Sequence, residues 1–340
     1  MRIVIVGAGL VGLTLARMLR QRGLEPLVLE RGAPAPPAPR PFMLGSQAFP
    51  ALEDAGALAE VRERGWDIAP RPGTDPAAVC VEFAIAVEVL GRGVPVNHER
   101  TVTALQRDGA GRVVGVVAER PDGSAEQVPA DLVVACDGVG SPVRGMAGLE
   151  AELTPTGEGQ ITFLSPAVAD RSFAMGYLRS GGMVGMLGWP QGSGGWRTVE
   201  RVGREAALAP GVRAFAESFA RLLPEAAEAV GALTSLDQLR YGEPTLLRCP
   251  RWWVPGVVII GDSAHFFGPE TGIGAALGLG DAHALSIAIE RNPDDPDASC
   301  TDYERWRGPA VRPYEANDPA RHQVIPAPHE RPPEERWPPG

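Results

Sequence analysis

The start of the chain alternates between apolar runs and a segment with helical spacing of its apolar positions. Residues 2–6, RIVIV, form a short β-rich run, and the glycine-rich GAGLVG follows without a gap. LTLARMLRQRG then places apolar residues three and four positions apart before Gly23, and PLVLE is a second apolar run that ends at Glu30. Strand, helix and strand in this order predict a βαβ unit and therefore a parallel sheet.

The next part of the chain mixes helix breakers with further apolar runs. The proline-rich GAPAPPAPRP predicts a loop, and SQAFPALEDAGALAEVRERG predicts one or two short helices. Residues 76–90 begin with Pro and continue apolar, which predicts a helix. TVTALQRD, RVVGVVAE and AEQVPADLVVACDG are typical of strands joined by glycine-containing turns.

The character of the chain changes after residue 150. Residues 151–248 contain glycine-broken stretches such as SFAMGYLRSGGMVGMLGW and then a helical pattern near 211–230, which predicts an antiparallel sheet plus a helix. The α/β pattern returns with WWVPGVVIIGD. We therefore predict a discontinuous first domain, residues 1–150 and 249–320, with a second domain, residues 151–248, inserted into it. The proline-rich residues 321–340 are expected to be disordered.

Composition narrows the class of protein. With 340 residues, 44% hydrophobic and 22% charged, the chain is typical of globular proteins. No apolar run approaches the roughly 20 residues of a membrane span, and the first residues do not fit a signal peptide, so a cytoplasmic location is expected. A net charge of −10 does not favour a nucleic-acid partner. The four cysteines are widely spaced, which favours neither a disulfide framework nor a bound metal.

The first candidate site is the glycine turn Gly7-x-Gly9-x-x-Gly12, between a predicted strand and a predicted helix. The first Gly permits a tight turn, the second lets a pyrophosphate approach the backbone, and the third lets helix and strand pack closely. The N–H groups at the start of the helix favour phosphate. Glu30 ends the second strand, where a carboxylate accepts from ribose hydroxyls and disfavours a 2′-phosphate. FAD and NAD both remain compatible, and an accidental glycine turn is the alternative.

Two further stretches follow apolar strands. CDGVGSPVR, residues 136–144, is by itself equally compatible with a plain Asp-Gly turn. GDSAHFFGPETGIGAALGLGDA, residues 261–282, places Asp262 at the carboxyl end of a buried strand, where ligands of α/β sheets bind. Asp262 suits a ribityl-type hydroxyl, or it caps a helix. Glycines inside a helix cost about 1 kcal/mol each relative to Ala, so this run indicates either close helix packing or a flat anionic ligand against the backbone.

Together and in this order, the three motifs resemble those of the group A flavoprotein monooxygenases, the family of 4-hydroxybenzoate hydroxylase, salicylate hydroxylase-like enzymes and polyketide-tailoring hydroxylases. The resemblance covers residues 1–320. It implies an α/β fold in which a Rossmann-like FAD-binding domain of the glutathione-reductase type carries an inserted substrate domain, made of an antiparallel β-sheet plus a helix. The family's GxGxxG, DGxxSxxR and GDxAHxxxPxxGxG motifs are matched by Gly7, Gly9 and Gly12; Asp137, Gly138, Ser141 and Arg144; and Gly261, Asp262, Ala264, His265, Pro269, Gly272 and Gly274.

By this resemblance, FAD is the cofactor and NAD(P)H is the co-substrate. The residues expected to bind FAD are the motif positions and their neighbours: Gly7, Gly9, Leu10, Val11, Gly12, Glu30, Arg31, Arg40, Asp137, Gly138, Arg144, Gly261, Asp262, Ala264, Pro269, Gly272, Gly274 and Ala275. Backbone N–H groups between Gly272 and Ala275 are expected to face the N1–C2 edge of the flavin, where negative charge collects. An Arg that many members carry has no counterpart near Ala78 or Val79, and the segment between Gly65 and Pro76 is shorter than in other members.

The resemblance also implies the chemistry. NAD(P)H reduces FAD, O2 forms a C4a-hydroperoxide, and its terminal oxygen is transferred to an electron-rich aromatic or polyketide-like small molecule. Because the flavin carries this chemistry, no protein nucleophile and no metal are expected. His265 is a candidate acid or base, although its place in the motif favours a structural or flavin-proximal role. The inserted sheet and the flavin-facing segment are expected to supply an apolar substrate wall of Met183, Met186, Trp189, Phe266 and Phe267, each of which is otherwise ordinary core.

Two alternatives use the same scaffold. A flavin reductase or dehydrogenase would turn over without inserting oxygen, and a degenerate, non-catalytic flavin-fold protein would act as a partner or scaffold. The missing Arg and the short segment after Gly65 motivate the second alternative. The identity of the substrate, the choice between NADH and NADPH and the oligomeric state are not encoded in any of these motifs.

Overall fold

A computed structural model describes residues 1–34, 41–67, 77–167, 173–178, 182–268 and 272–315. The strands in chain order are β1 Ile3–Val6, β2 Leu27–Leu29, β3 Pro41–Leu44, β4 Trp66–Asp67, β5 Val79–Glu82, β6 Val96–Asn97, β7 Thr101–Arg107, β8 Val113–Glu119, β9 Ala125–Pro129, β10 Leu132–Ala135, β11 Glu152–Pro155, β12 Glu158–Ser165, β13 Phe173–Tyr177, β14 Met183–Trp189, β15 Gly192–Glu200, β16 Leu239–Gly242, β17 Thr245–Arg248, β18 Trp253–Val254, β19 Val257–Ile259 and β20 His265–Phe266. The helices are α1 Leu10–Gln21, α2 Phe49–Asp54, α3 Leu58–Arg64, α4 Phe83–Gly91, α5 Pro142–Ala147, α6 Arg204–Leu208, α7 Gly211–Leu222, α8 Ala227–Gly231, α9 Gly274–Arg291 and α10 Pro296–Glu315.

A sheet of order β18-β19-β10-β1-β2-β6 forms the centre of the larger hydrophobic core. β1, the run Ile-Val-Ile-Val, is buried at every position, because it pairs in parallel with β10 on one side and with β2 on the other. Helix α1 connects β1 to β2 and packs against α9, which packs in turn against α10. The predicted βαβ unit and the α/β class are confirmed.

A second sheet, of order β13-β14-β15-β12-β16, is antiparallel throughout. One of its faces packs against α7 in a separate core that contains Met186, Phe163 and Phe219. The rings of Phe163 and Phe219 meet edge to face, with centroids 5.1 Å apart. Because the two sheets have separate cores, we propose the domain division that the sequence predicts, residues 1–150 and 249–320 against residues 151–248.

The region predicted as one helix over residues 76–90 begins as a strand. β5 lies between β3 and β4, so that Cys80 is opposite both Met43 and Trp66. The chain becomes helical only from Phe83, where α4 begins. A short apolar run fits a buried strand as well as a buried helix, and pairing with two neighbouring strands decided the outcome here. The prediction of a single helix was wrong.

Other predicted elements agree with the structure, with one interruption. The short helices predicted before Gly65 are α2 and α3, and the predicted strands of the first half are β7 to β10. The helix predicted near 211–230 is α7 followed by α8, because Pro224 disfavours a helical conformation at Leu223 and lacks a backbone donor. Residues 321–340 lie outside the described part of the chain. Within that part, no helix is long and apolar enough to cross a membrane.

Candidate active site

The three sequence motifs meet at one edge of the parallel sheet. β1, β10 and β19 are neighbouring parallel strands, so the residues that follow them emerge side by side. Cys136 N donates to Val6 O at 2.8 Å and Ile260 N donates to Ala135 O at 3.1 Å, which keeps the strands paired up to the motifs. The glycine turn, the Asp-Gly turn and the Gly-Asp turn therefore share the carboxyl edge, where sheets of this type bind ligands.

The glycine turn is tightly packed at two positions and open at the third. Gly7 has a φ of +106°, and a Cβ there would lie 2.5 Å from Cys136 O. A Cβ on Gly12 would lie 2.1 Å from Gly7 O, whereas a Cβ on Gly9 would meet no atom of the described part of the chain within 4 Å. Gly9 caps α1 without a side-chain hydrogen bond, and the first turn of α1 contains no acidic residue. The space and the first N–H groups of α1 fit an anion such as a pyrophosphate.

Glu30 is fixed against the glycine turn by two backbone donors. Its Oε2 accepts from Ala8 N at 2.9 Å, and its Oε1 accepts from Gly32 N at 2.8 Å. Each carboxylate oxygen keeps a second lone pair for a ligand hydroxyl. The neighbouring Arg31 is exposed, and Arg40 lies outside the described residues.

Ser263, which sequence reasoning missed, connects the Asp-Gly turn to the Gly-Asp turn. Its Oγ donates to Asp137 Oδ1 at 3.1 Å and accepts from Gly138 N at 2.9 Å. Arg144 is only 7% exposed and donates to the carbonyl oxygens of Ser263 and Val139, each at 2.9 Å. Arg144 thus braces the backbone of both turns. The serine in the x position of GDxAH was the available signal.

The start of α9 borders open space next to Asp262. Among the described residues, a Cβ on Gly272 would meet nothing within 4 Å, and a Cβ on Gly274 would meet only Asp262 Oδ1, at 3.7 Å. Ile273 caps α9 without a side-chain hydrogen bond, and the first turn contains no acidic residue. The N–H groups at Gly274 and Ala275 therefore fit an anionic or electron-rich ring edge. Pro269 lies outside the described residues.

Two further glycines of α9 serve close packing. A Cβ on Gly278 would lie 2.6 Å from Val11 Cγ2, at the contact between α9 and α1. A Cβ on Gly280 would lie 2.9 Å from Arg307 Nη2, at the contact with α10. The packing interpretation therefore holds for these two positions, while Gly272 and Gly274 leave the space that the ligand interpretation requires.

His265 belongs to a buried ionic group. The imidazole is 1% exposed, and its Nε2 lies 2.7 Å from Asp281 Oδ2. Asp281 Oδ1 accepts from Arg307 Nε at 2.8 Å. Burial alone would raise the pKa of Asp281, but attraction to His265 and Arg307 outweighs it and lowers that pKa. The arrangement fits the structural role weighed for His265, and its neighbour Ala264 is likewise fully buried in the core.

The candidate substrate residues of the antiparallel sheet lie on opposite faces. Met186 is fully buried on the face that packs against α7, whereas Trp189 clusters with Trp66 of β4 on the other face. Met183 shares the face of Trp189 by strand alternation. Trp196, which the sequence analysis did not single out, joins this second cluster together with Cys80, Leu187 and Met43.

Glycines on the same face leave room for the indole rings. Gly185 is directly opposite Trp196, and a Cβ on Gly185 would lie 2.3 Å from the Trp196 ring. A Cβ on Gly194 would lie 3.3 Å from the Trp189 ring. A glycine opposite a tryptophan was the signal for Trp196, but it becomes visible only when the register of the two strands is known.

Phe266 and Phe267 differ in burial. Phe267 is 6% exposed and stacks on His265, with ring planes 6° apart and centroids at 5.7 Å. Its other neighbour is Tyr314 of α10, with centroids at 5.9 Å. Phe266 is half-buried and pairs with Leu247 of β17, so it is the more exposed of the two.

Comparisons with known proteins agree with this geometry. The chain matches the family described as "FAD binding domain" over residues 1–73 and 81–307. It is 26% identical to the rifampicin monooxygenase of Streptomyces venezuelae over 95% of this chain and 71% of that protein, and 30% identical to the 3-amino-4-hydroxybenzoate 2-monooxygenase of Streptomyces cremeus over 91% of this chain and 83% of that protein. The crystal structure of PqsL, a probable FAD-dependent monooxygenase from Pseudomonas aeruginosa, shares the fold with a TM-score of 0.76 at 21% identity, over 96% of each chain.

Glycine-containing turns after the parallel strands β1, β10 and β19 are typical of a dinucleotide-binding α/β protein. The family match makes FAD the dinucleotide, because the chain belongs to the FAD binding domain family. Within that family it is a group A FAD-dependent aromatic monooxygenase, as the sequence predicts. FAD is its cofactor, and the open positions at Gly9, Gly272 and Gly274 fit that ligand.

Proposed function

We propose that this chain uses NAD(P)H and O2 to hydroxylate an aromatic or polyketide-like small molecule. The observation that carries the proposal is the convergence of the three turns on one sheet edge, with the starts of α1 and α9 bordering open space. Rifampicin and 3-amino-4-hydroxybenzoate, named as substrates of relatives, support an aromatic substrate. The cytoplasmic location predicted from the sequence fits the supply of NAD(P)H.

The residues at the sheet edge have distinct roles in this proposal. Bound FAD supplies electron transfer from NAD(P)H to O2 and the insertion of one oxygen atom. Gly9 and the start of α1 hold the pyrophosphate, and Glu30 accepts hydrogen bonds from the ribose. Asp262 accepts hydrogen bonds from the ribityl chain. The start of α9, at Gly274 and Ala275, presents N–H groups and a positive dipole end to the ring edge that gains negative charge.

The substrate in this proposal lies against the face of the antiparallel sheet that carries Trp189. Flat indole rings offer a large contact area to an aromatic ligand, and an apolar wall keeps water from the reacting centre. Met183 and Phe266 remain in the proposed wall, and Trp196 is added to it. Met186 and Phe267 are left out because of what they pack against. Met186 faces α7 on the other side of the sheet, and Phe267 stacks between His265 and Tyr314 in the larger core.

The test combines turnover with an oxygen label. Purified holoprotein is expected to oxidise NAD(P)H faster when a suitable phenolic or polycyclic compound is added, and to incorporate one atom of labelled O2 into the product. A screen of such compounds for accelerated flavin reduction identifies the substrate. Turnover with another acceptor and without label would instead make the protein a reductase or dehydrogenase. Yellow protein that is never reduced by NAD(P)H with any compound would favour a non-catalytic role.

A further inference from the structure

A buried carboxylate outside the sequence motifs lies directly behind the Gly-Asp turn. Asp281 belongs to α9 and is 0% exposed. Its Oδ2 accepts from Gly261 N at 2.9 Å and lies 2.7 Å from His265 Nε2, and its Oδ1 accepts from Arg307 Nε at 2.8 Å. A carboxylate is tolerated in a protein interior only when its charge and its lone pairs are satisfied. Three groups from two segments, the stretch Gly261–His265 and helix α10, satisfy this one.

Arg307 brings the opposite charge from α10. Its side chain is 16% exposed, and its Nη2 also donates to Leu277 O at 3.1 Å. Gly280 makes this approach possible, because a Cβ there would lie 2.9 Å from the same Nη2 and 3.0 Å from Cζ. The guanidinium is therefore held by a carboxylate and by a helix carbonyl, against a position of α9 that lacks a side chain.

The residues on both sides of Asp262 are held in place by hydrogen bonds, and Asp281 supplies one of them. Gly261, with a φ of +60°, is held by Asp281. Ser263 is held by Asp137 and Arg144. Asp262 is the residue between these two held positions, and it is the residue that the proposed function assigns to the ribityl chain.

We propose that Asp281 and Arg307 are positioning residues of the FAD site. Their buried ion pair fixes the turn Gly261–Ser263 and thereby sets the place of the Asp262 carboxylate. This inference rests on the proposed function for the role of Asp262. It also makes α10, which supplies none of the three motifs, a part of the cofactor site.

The test measures FAD affinity in the full-length holoprotein, without substrate and without NAD(P)H. Release of FAD on dilution is followed by the rise in flavin fluorescence, and the visible spectrum of the bound flavin is recorded. Arg307→Gln removes the charge, and Gly280→Ala displaces the guanidinium while both charges remain. Each variant is expected to raise the FAD dissociation constant about tenfold and to change the spectrum, as is typical when a residue that orients a ligating group is lost.

Arg112→Gln is the matched control, because Arg112 pairs at 2.5 Å with Asp297 at the opposite end of α10. It is expected to lower the melting temperature and to leave the FAD dissociation constant within about twofold of wild type. Wild-type affinity and spectrum in both test variants would overturn the proposal, and so would an equal loss of FAD in Arg112→Gln. Gly280→Ala keeps the test decisive if Arg307→Gln does not fold. Because the assay contains neither substrate nor NAD(P)H, it remains valid even if the protein proves not to hydroxylate any compound.

Discussion

The proposed active site has two halves, a cofactor half at the edge of the parallel strands and a substrate half on the antiparallel sheet, and they are built from different groups. At the edge of the parallel sheet, the positions that border open space are glycines and backbone N–H groups, and side chains such as Ser263 and Arg144 hold that backbone in place. On the antiparallel sheet, the corresponding face carries large, largely buried side chains, Trp189 and Trp196. Side chains can be exchanged without moving a sheet, whereas backbone positions cannot. Backbone groups therefore suit a cofactor that stays the same, and exchangeable side chains suit a substrate that differs between related proteins.

The interiors behind the two halves differ as well. Behind the Gly-Asp turn lies the ionic group of Asp281, His265 and Arg307, and behind the antiparallel sheet lies an apolar core with the packed rings of Phe163 and Phe219. An ionic group fails as a unit when one partner is removed, because the other charge stays buried. An apolar core loses the transfer free energy of the removed atoms plus a term for the cavity left behind, and no charge is left unpaired. Variants in the two interiors should therefore lower the free energy of unfolding by different amounts, and only the loss in the ionic interior should depend on pH.

Asp281→Asn is expected to have the largest effect on stability. It leaves Arg307 without its partner in a buried site, which costs about 3–5 kcal/mol at neutral pH. Burial raises the pKa of Asp281, but His265 and Arg307 lower it overall, so the folded pKa lies below the unfolded value of about 3.9. The stabilisation is therefore complete above about pH 4 and is lost as the pH falls through the folded pKa. Urea denaturation should show the gap between wild type and variant narrowing below that pH.

The exposed Glu88 is the control for this pH dependence. Hydrogen bonds from Arg64 and Arg92 lower its pKa to about 2, but solvent screens these contacts, so Glu88→Gln should change the free energy of unfolding little at any pH. If the difference in unfolding free energy between wild type and Asp281→Asn stayed constant below about pH 4, the stabilisation would not come from the charge of Asp281.

Gly12→Ala should be the next most damaging change, and it tests whether the cofactor half depends on backbone packing. The added Cβ would lie 2.1 Å from Gly7 O, so α1 must move away from the turn. The free energy of unfolding should fall by about 3 kcal/mol, and FAD uptake, followed by flavin absorbance, should be lost. Gly145→Ala in α5 is the control, since its Cβ would meet nothing within 4 Å. Normal FAD content in Gly12→Ala would show that the cofactor half does not depend on close backbone packing.

The same difference determines how much of the molecule the sequence could predict. Gly7 and Gly12 were predictable because a backbone clash leaves a single residue type possible at each position. The faces of the antiparallel sheet were not predictable. A shift of one residue in strand register moves every side chain to the opposite face, so that Met186 and Trp189 would exchange faces. The positioning role of Asp281 also escaped, because its partners meet it only through the packing of α9 and α10 against the Gly-Asp turn. The prediction of one helix over residues 76–90 failed for a related reason, because strand pairing depends on residues far away in the sequence.

Trp189→Phe and Met186→Val compare the two faces of the antiparallel sheet. Both remove buried apolar atoms, so each should lower the free energy of unfolding by about 1–2 kcal/mol in urea denaturation. Only Trp189→Phe should weaken substrate binding, by about tenfold, because only Trp189 lies on the proposed substrate wall. Binding is measured as the substrate concentration that half-saturates the acceleration of flavin reduction. Equal weakening by Met186→Val would place the substrate elsewhere.

The smallest expected effects come from two helix caps, one in each half of the molecule. Ser141 Oγ accepts from Arg144 N at 3.0 Å at the start of α5. Ser235 Oγ accepts from Asp237 N at 3.2 Å at the start of a short 3₁₀ helix, Leu236–Gln238. Ser141→Ala and Ser235→Ala should each cost about 1 kcal/mol of unfolding free energy. Ser141→Ala alone should also loosen FAD, by less than about tenfold, because α5 carries the Arg144 that braces the two turns. If both variants bind FAD equally in the dilution assay, α5 does not contribute to the cofactor half, and Arg144 serves stability only.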